Sequence, residues 1–427
     1  MQFKPPPYVL LALQMLDAGG HEAWLVGGCV RDAVLGREPQ DYDIATKATP
    51  AQMRAAFSPY KTADTGIAHG TLTLVIQGHP IEVTTYRRDG MYSDGRHPDS
   101  VVFTDALLED LKRRDFTVNA MAWHIKKGLY DPLGGLFDCE KGLLRAVGNP
   151  LVRFQEDTLR ILRAFRFACG LGFDIAPGTL HAMEQKKDGL RLISAERVAQ
   201  ETNRALIAPF LFRGLTKYPQ VFFWALPELL PISPDAQKTW NHTLQILNDT
   251  PPDLALRWAA LFAQRKNTDA DTGSSPAGAA ALGAVMERLK QPRALREEAA
   301  ALVTCFDERL TPDELPLFLS KHGIPFTEKL LHLLRAAANA HDETALIDTL
   351  IEKTEEIRQS GACLNLKSLA VGGNDLLQLG YPKDKTLGET LNRLLHMVLQ
   401  GDLRNKRGDL LDQASAWLQS PTNKKEY

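Results

Sequence analysis

The chain has 427 residues, more than one ordinary hydrophobic core holds, so about two to four domains are expected. Hydrophobic residues make up 44% and charged residues 24%, a soluble balance with a formal net charge of −2. That excludes binding of polyanions through global charge, so any nucleic-acid site must be a local patch. The five cysteines (29, 139, 169, 305 and 363) form no Cys-x-x-Cys, which points to reduced thiols in a cytoplasm and not to a disulfide framework or a zinc site.

Residues 7–19 read as a helix ending at Gly19-Gly20. Its apolar run "YVLLALQML" is too short to span a membrane, and no cleavage site follows, so a buried first helix is expected and no membrane partner. "AWLV" reads as a short buried strand, Gly27-Gly28 as a turn, and "CVRDAVLG" as a helix closed by Gly36. "DYDIAT" reads as the next strand, and "TPAQMRAAF" as a helix with Thr49 as N-cap and Pro50 at its first position. "GTLTLVIQGHPIEVTTYRR" alternates like a hairpin that turns near Gln77-Gly78. From about residue 145 the periodicity is helical, with "RFQEDTLRILRAFRFACGLGF" as its first clear run, and no strand alternation returns. Residues 266–284 are small and polar and read as a surface loop.

The chemistry gathers in "LVGGCVRDAVLGREPQDYDIAT", residues 25–46. On a strand, Asp41 and Asp43 would face one way and offer two carboxylates to one or two Mg²⁺ ions. Alone, Asp-x-Asp reads equally as two surface aspartates near a turn. The glycines add to it: backbone without Cβ lets a triphosphate approach Gly28, and Arg31, one turn into the helix, can neutralise it. Glu82 in "IEVTT" offers a possible third carboxylate, or is an unrelated strand glutamate.

Two later stretches fit beside such a site. "LEDLKRRDFTVNAMAW" carries Lys112, Arg113, Arg114 and Asp115, either as a basic helix end or as a phosphate clamp and orienter of the carboxylates. "FQEDTLRILRAFRFA" places Asp157 and Arg160 three apart, as neighbours on a helix. They read as an ordinary salt bridge or as a base reader. The carboxylate accepts from the exocyclic amine of cytosine or adenine, and the guanidinium donates to ring acceptors. Guanine and uracil present the opposite pattern and would leave buried polar groups unpaired. Arg163 and Arg166 follow at three-residue steps, within reach of a triphosphate or primer backbone.

Together "LVGGCVRDAVLGREPQDYDIAT", "DLKRRDFTVNAMAW", "YDPLGGLFDCEKGLLRAVGNP", "FQEDTLRILRAFRF" and "ISAERVAQE" resemble, in order, the class II CCA-adding enzymes (tRNA nucleotidyltransferases) and the related bacterial poly(A) polymerases. They cover residues 24–206. The resemblance implies an α+β fold: a polymerase-β-like nucleotidyltransferase head (1–142), then an elongated all-α neck (143–208), body (209–330) and tail (331–427). It implies metal ligation by Asp41 and Asp43, a catalytic role for Arg114, and nucleotide contacts from Gly28, Arg31, Arg114, Asp157, Arg160, Arg163 and Arg166. Glu156, Glu196, Arg197 and Glu201 would support the neck helices. The segment "MYSDGRHPDSVVF" resembles the full-length loop of enzymes that add the terminal A, and "TADTGIAHGTLTLVI" stands where poly(A) polymerases carry a "GRRFR"-like sequence. "WNHTLQILNDTPPDLALRWAALF" resembles the start of an HD phosphohydrolase region. Ala263, Gln264 and Arg265 stand where its His-Asp pair would follow, so His242 is expected to be a remnant.

The expectation is template-independent addition of C, C and A to the 3′ end of tRNA from CTP and ATP, with two Mg²⁺ ions and release of pyrophosphate. The tail would dock the tRNA elbow, and Arg404, Lys406 and Arg407 are either RNA contacts or a solvated charged face. Rival readings are an A-adding enzyme, a poly(A) polymerase, a catalytically inactive RNA-binding scaffold, and transfer to a small molecule such as an aminoglycoside. The intact Asp pair argues against the scaffold, and the Glu-Asp-x-x-Arg stretch against the small molecule.

Overall fold

Helix α1 (Pro7–Ala18) begins with proline, whose missing N–H costs nothing at that position, and buries Val9, Ala12, Leu13 and Leu16 along one face. Strand β1 (Ala23–Val26) is buried at all four positions, as the interior of a covered sheet requires. The Gly27 turn leads into α2 (Gly28–Val34). Strand β2 (Asp43–Thr46) begins at Asp43, so Asp41 precedes it instead of sharing it. Helix α3 (Pro50–Ala56) carries the expected Thr49 cap, closed reciprocally with Gln52. After β3 (Lys61–Gly66), strands β4 (Thr71–Ile76) and β5 (His79–Thr85) form the expected hairpin. Gln77 and Gly78 at its tip take φ of 52° and 84°, the positive pair that matches strand twist.

A second ribbon pairs β6 (Arg87–Asp89) with β7 (Val101–Phe103). Helix α4 (Leu107–Lys112), β8 (Ala122–His124), β9 (Gly128–Tyr130) and α5 (Gly135–Lys141) complete the head. Its sheet runs β3-β4-β5-β2-β1-β8-β9, and only the β2–β5 pair is parallel. That order places β1 and β2 at the centre, with the Gly27 turn and Asp43 at one end of the same antiparallel pair.

The helical region holds two departures from the reading above. Strand β10 (Leu143–Leu144) pairs in parallel with β11 (Asp174–Ile175), so pairing returns in a length too short to signal itself by alternation. The run expected to be one helix is two, α6 (Pro150–Glu156) and α7 (Arg160–Leu171). Asp157 is extended (φ −147°, ψ 103°), and its carboxylate accepts the Leu159 N–H at 3.1 Å. That local side-chain bond competes with the helix ladder and breaks it. Helices α8 (Pro177–Lys186) and α9 (Ala195–Leu206) follow.

The computed structural model describes residues 3–90, 100–231, 234–263, 277–338 and 341–419. The loop read as complete lies outside these as far as residue 99, as do Gln264, Arg265 and most of the 266–284 stretch. Two compact units divide the chain: residues 1–230 with 288–290, and residues 231–287 with 291–427. The expected head–neck boundary at 142/143 falls inside the first. The second is helical throughout its described residues, with a core cluster around Leu376, Leu394, Leu410 and Ala414. The architecture is the expected mixed-sheet head followed by helices. All five cysteines are buried and unpaired. Among the described residues no helix is long and apolar enough to cross a membrane.

Candidate active site

One cleft of about 680 Å³ in the first unit gathers most of the residues singled out from sequence. Gly28, Arg31, Asp41, Asp43, Arg114, Asp157, Arg160, Arg163 and Arg166 all line it. Glu82 does not stand among them. It lies opposite Asp43 in the parallel β2–β5 register and is exposed.

The glycine turn is set by close approach. Gly27 has φ 78°, and a Cβ there would meet Arg114 Nη1 at 2.9 Å and Asp43 Oδ2 at 3.6 Å. Gly28, the position singled out from sequence, has only ordinary contact with Arg31 at 3.6 Å. The steric demand therefore falls on Gly27, which brings Arg114 and Asp43 against one backbone.

Asp41 and Asp43 make no ion pair with a protein cation among the described residues, although Arg114 stands beside Asp43. Burial raises the Asp43 carboxyl to about 6; Arg114 opposes that rise, while Glu82 and Asp41 add to it. Such a carboxylate is relieved by a cation. No three His, Cys, Asp or Glu side chains among the described residues converge to hold a metal unaided. Two hard-oxygen carboxylates nevertheless fit Mg²⁺, which commonly takes one or two of them and completes its shell with water and substrate phosphate. Arg114 reaches Asp110 at 3.4 Å, but its buried Nε has no acceptor, a donor left for an anion.

The arginines of α7 point into the cleft at i, i+3 and i+6. Arg163 pairs with Asp115 through Nε and Nη2 at 2.9 and 2.7 Å, and Arg166 pairs with buried Glu201 of α9. Burial alone would raise Asp115, but the Arg163 guanidinium and the Asn119 amide hold it down at about 2. In all, eight arginines face five aspartates around the cleft, an excess of positive charge suited to a polyanion.

Asp157 and Arg160 are not the salt bridge that their spacing suggested, because the helix breaks between them. Asp157 accepts from Arg197 at 2.8 Å, while Arg160 donates to Glu156 at 2.7 Å and to the carbonyls of Arg153 and Arg113. Both line the cleft and keep bonding capacity beyond these contacts. Glu156 and Glu201 act as supports, as expected, and Glu196 holds Lys290 at 2.7 Å. Arg197 exceeds that expectation, since it lines the cleft as well as fixing Asp157.

Three family models match. One described as the poly A polymerase head domain covers residues 23–145, one described as a probable RNA and SrmB-binding site of polymerase A covers 172–217, and one described as a putative tRNA nucleotidyltransferase domain 2 covers 277–414. The CCA-adding enzyme of Lacticaseibacillus paracasei is 35% identical over 407 residues, 94% of each chain. That of Streptococcus mutans is 33% identical over 414 residues, 94% of this chain and 95% of its own. The chain belongs to the CCA-adding enzyme family. Among solved structures, the Bacillus stearothermophilus CCA-adding enzyme in complex with CTP matches with a TM-score of 0.74 at 30% identity, over 99% of this chain and 100% of its own. The Thermotoga maritima CCA-adding enzyme complexed with tRNA shares the fold, at 0.63 and 22%, over 97% of each chain.

Against this CCA-adding enzyme family background, sequence reasoning missed Phe167, Asn119 and Arg204. Phe167 is the ring beneath three guanidiniums, with Arg166 at 3.9 Å, Arg31 at 5.4 Å and Arg163 at 5.5 Å. Its apolar type read as helix core, and nothing local marked it otherwise. Arg204 lies two turns along α9 from Arg197, and that helical spacing was the available signal.

Proposed function

We propose that the chain adds C, C and A in turn to the 3′ end of tRNA, taking CTP and ATP and releasing pyrophosphate. The observation that carries this reading is the convergence of two unpaired aspartates, a glycine turn and a ring of arginines in one cleft. The 30%-identical relative in complex with CTP supports a nucleotide in that cleft.

Asp41 and Asp43 would hold Mg²⁺, which when bound lowers the pKa of the attacking hydroxyl and stabilises charge on the phosphate oxygens. The Gly27-Gly28 turn lets the triphosphate approach the backbone. Arg31, Arg163 and Arg166 neutralise its charge and hold it in the cleft. Arg114, beside Asp43 and with its Nε free, stabilises charge that builds during transfer. Asp157 accepts the exocyclic amine of cytosine or adenine, and Arg160 donates to the ring acceptors. Arg197 and Glu156 hold these two side chains in place, so the protein itself serves as template. Residues 1–142 act as head, 143–208 as neck, 209–330 as body and 331–427 as tRNA-binding tail, in the cytoplasm. His242 is half-buried in the helix Pro234–Asp249 and has no part in this chemistry.

The test uses tRNA transcripts ending before CCA, after C and after CC, incubated with Mg²⁺ and CTP, ATP or both, with 3′ ends read on a sequencing gel. Stepwise C, C, A and a stop is expected, with Asp41→Ala and Asp43→Ala inactive. Growth from the CC end alone would make it an A-adding enzyme, a long A ladder a poly(A) polymerase, and no growth an RNA-binding scaffold.

A further inference from the structure

The turn at Thr117–Asn119 carries a side chain to which the mechanism above gives no role. Asn119 is only 7% exposed, yet its carboxamide makes two directional bonds in the cleft wall. Its Oδ1 accepts from Arg31 Nη1 at 2.6 Å, and its Nδ2 donates to Asp115 Oδ1 at 3.2 Å. The other oxygen of Asp115 accepts from Arg163. A chain of bonds therefore runs Arg31–Asn119–Asp115–Arg163, from the head helix α2 to the neck helix α7.

The chemistry of each end fixes the residue type. The group facing Arg31 must accept and the group facing Asp115 must donate, and a carboxamide does both while remaining neutral. A carboxylate here would neutralise Arg31 and repel Asp115. An apolar side chain would leave a part-buried Arg31 N–H without its acceptor and Asp115 Oδ1 with the Phe116 N–H alone. Arg31 already has one carboxylate neighbour, Asp32, at 2.9 Å. A neutral second contact holds it without cancelling the charge it presents to an anion. Arg31 and Arg163 also flank the same Phe167 ring, so the bond chain and the ring fix one relative position for the two guanidiniums.

We propose that Asn119 is a positioning residue for the nucleotide triphosphate: its carboxamide sets Arg31 relative to Arg163, so that the two arginines meet the phosphates as a preformed pair. The inference rests on the reading of Arg31 as a triphosphate contact. Preorganisation of this kind acts on binding and leaves the chemical step alone. Asn119→Ala should raise KM for CTP and for ATP about tenfold, the loss of one hydrogen bond to a charged group. Its kcat and its KM for tRNA should stay within about twofold. The isosteric Asn119→Asp, which keeps the packing, should raise nucleotide KM further.

The experiment measures steady-state addition to a tRNA transcript by the full chain for wild type, Asn119→Ala, Asn119→Asp, Arg31→Ala and the Arg31→Ala/Asn119→Ala double variant, with thermal unfolding of each. In the double variant nucleotide KM should match that of Arg31→Ala alone, because the amide has lost the group it positions. The inference is overturned if Arg31→Ala raises nucleotide KM while both Asn119 variants leave it within twofold, or if the two losses multiply in the double variant. If Arg31→Ala itself leaves nucleotide KM unchanged, the triphosphate role of Arg31 fails and takes the inference with it.

Discussion

Asp115 is buried against Arg163, and that pairing has a consequence for stability. A carboxyl held at about 2 when folded, against an ordinary value of 3.8, favours the folded state at neutral pH. The contribution is present above pH 4 and is lost as pH falls through 4 towards 2, where both states are protonated. Asp115→Asn should cost roughly 2 kcal/mol in urea unfolding at pH 7. The gap to wild type should narrow by pH 3, and a gap independent of pH would remove this account. The same scale shows what a linear sequence conceals. Asp157 and Arg163 were legible as candidate residues, but the pairings of Asp157 with Arg197 and of Arg163 with Asp115 were not. Arg197 stands 40 residues from Asp157, and Arg163 stands 48 from Asp115.

Among the elements, the turn between β1 and α2 is the one whose shape the site depends on. Gly27→Ala places a Cβ 2.9 Å from Arg114 Nη1 in a backbone region that L-residues avoid. Gly36, at φ 68°, has nothing within 4 Å and provides the control. Gly36→Ala should lose about 1 kcal/mol to backbone strain, and Gly27→Ala up to about 3 kcal/mol, because its φ 78° and ψ −133° lie outside the left-handed helical region. Only Gly27→Ala should also lose nucleotide addition, by tenfold or more, because Arg114 must move. Equal activity in the two would show that the close approach has no catalytic weight. Element boundaries were legible where a helix cap or a tight turn marks them, as at Thr49-Pro50 and Gln77-Gly78. They were not legible at Asp157, where a bond from side chain to backbone stops a helix that the apolar periodicity continues through.

For the whole molecule, a net charge of −2 means that tRNA binding must come from local basic patches. Arg404 and Lys406 are exposed, whereas Arg407 is tied to Asp375 at 2.7 Å. Arg404→Ala with Lys406→Ala should raise KM for tRNA several-fold at moderate salt and flatten its salt dependence by about one to two. KM for CTP should not change. Arg407→Ala should do less, since part of its charge is already answered. Unchanged tRNA KM and salt slope in the double variant would make this face a merely solvated one.

The sequence by itself determined the early helices of the head and its β4–β5 hairpin, the switch to helices, a set of residues that the cleft brings together and the family to which the chain belongs. Each of these rests on spacing within a few residues, where helix and strand periods, caps and motif order act locally. Only the tertiary structure decided that Gly27 and not Gly28 bears the steric demand, and that Glu82 flanks Asp43 without entering the cleft. It also decided that Asn119 and Phe167 join arginines of two elements. These are contacts between groups far apart in the chain, set by how the sheet and helices pack, and no local pattern encodes them.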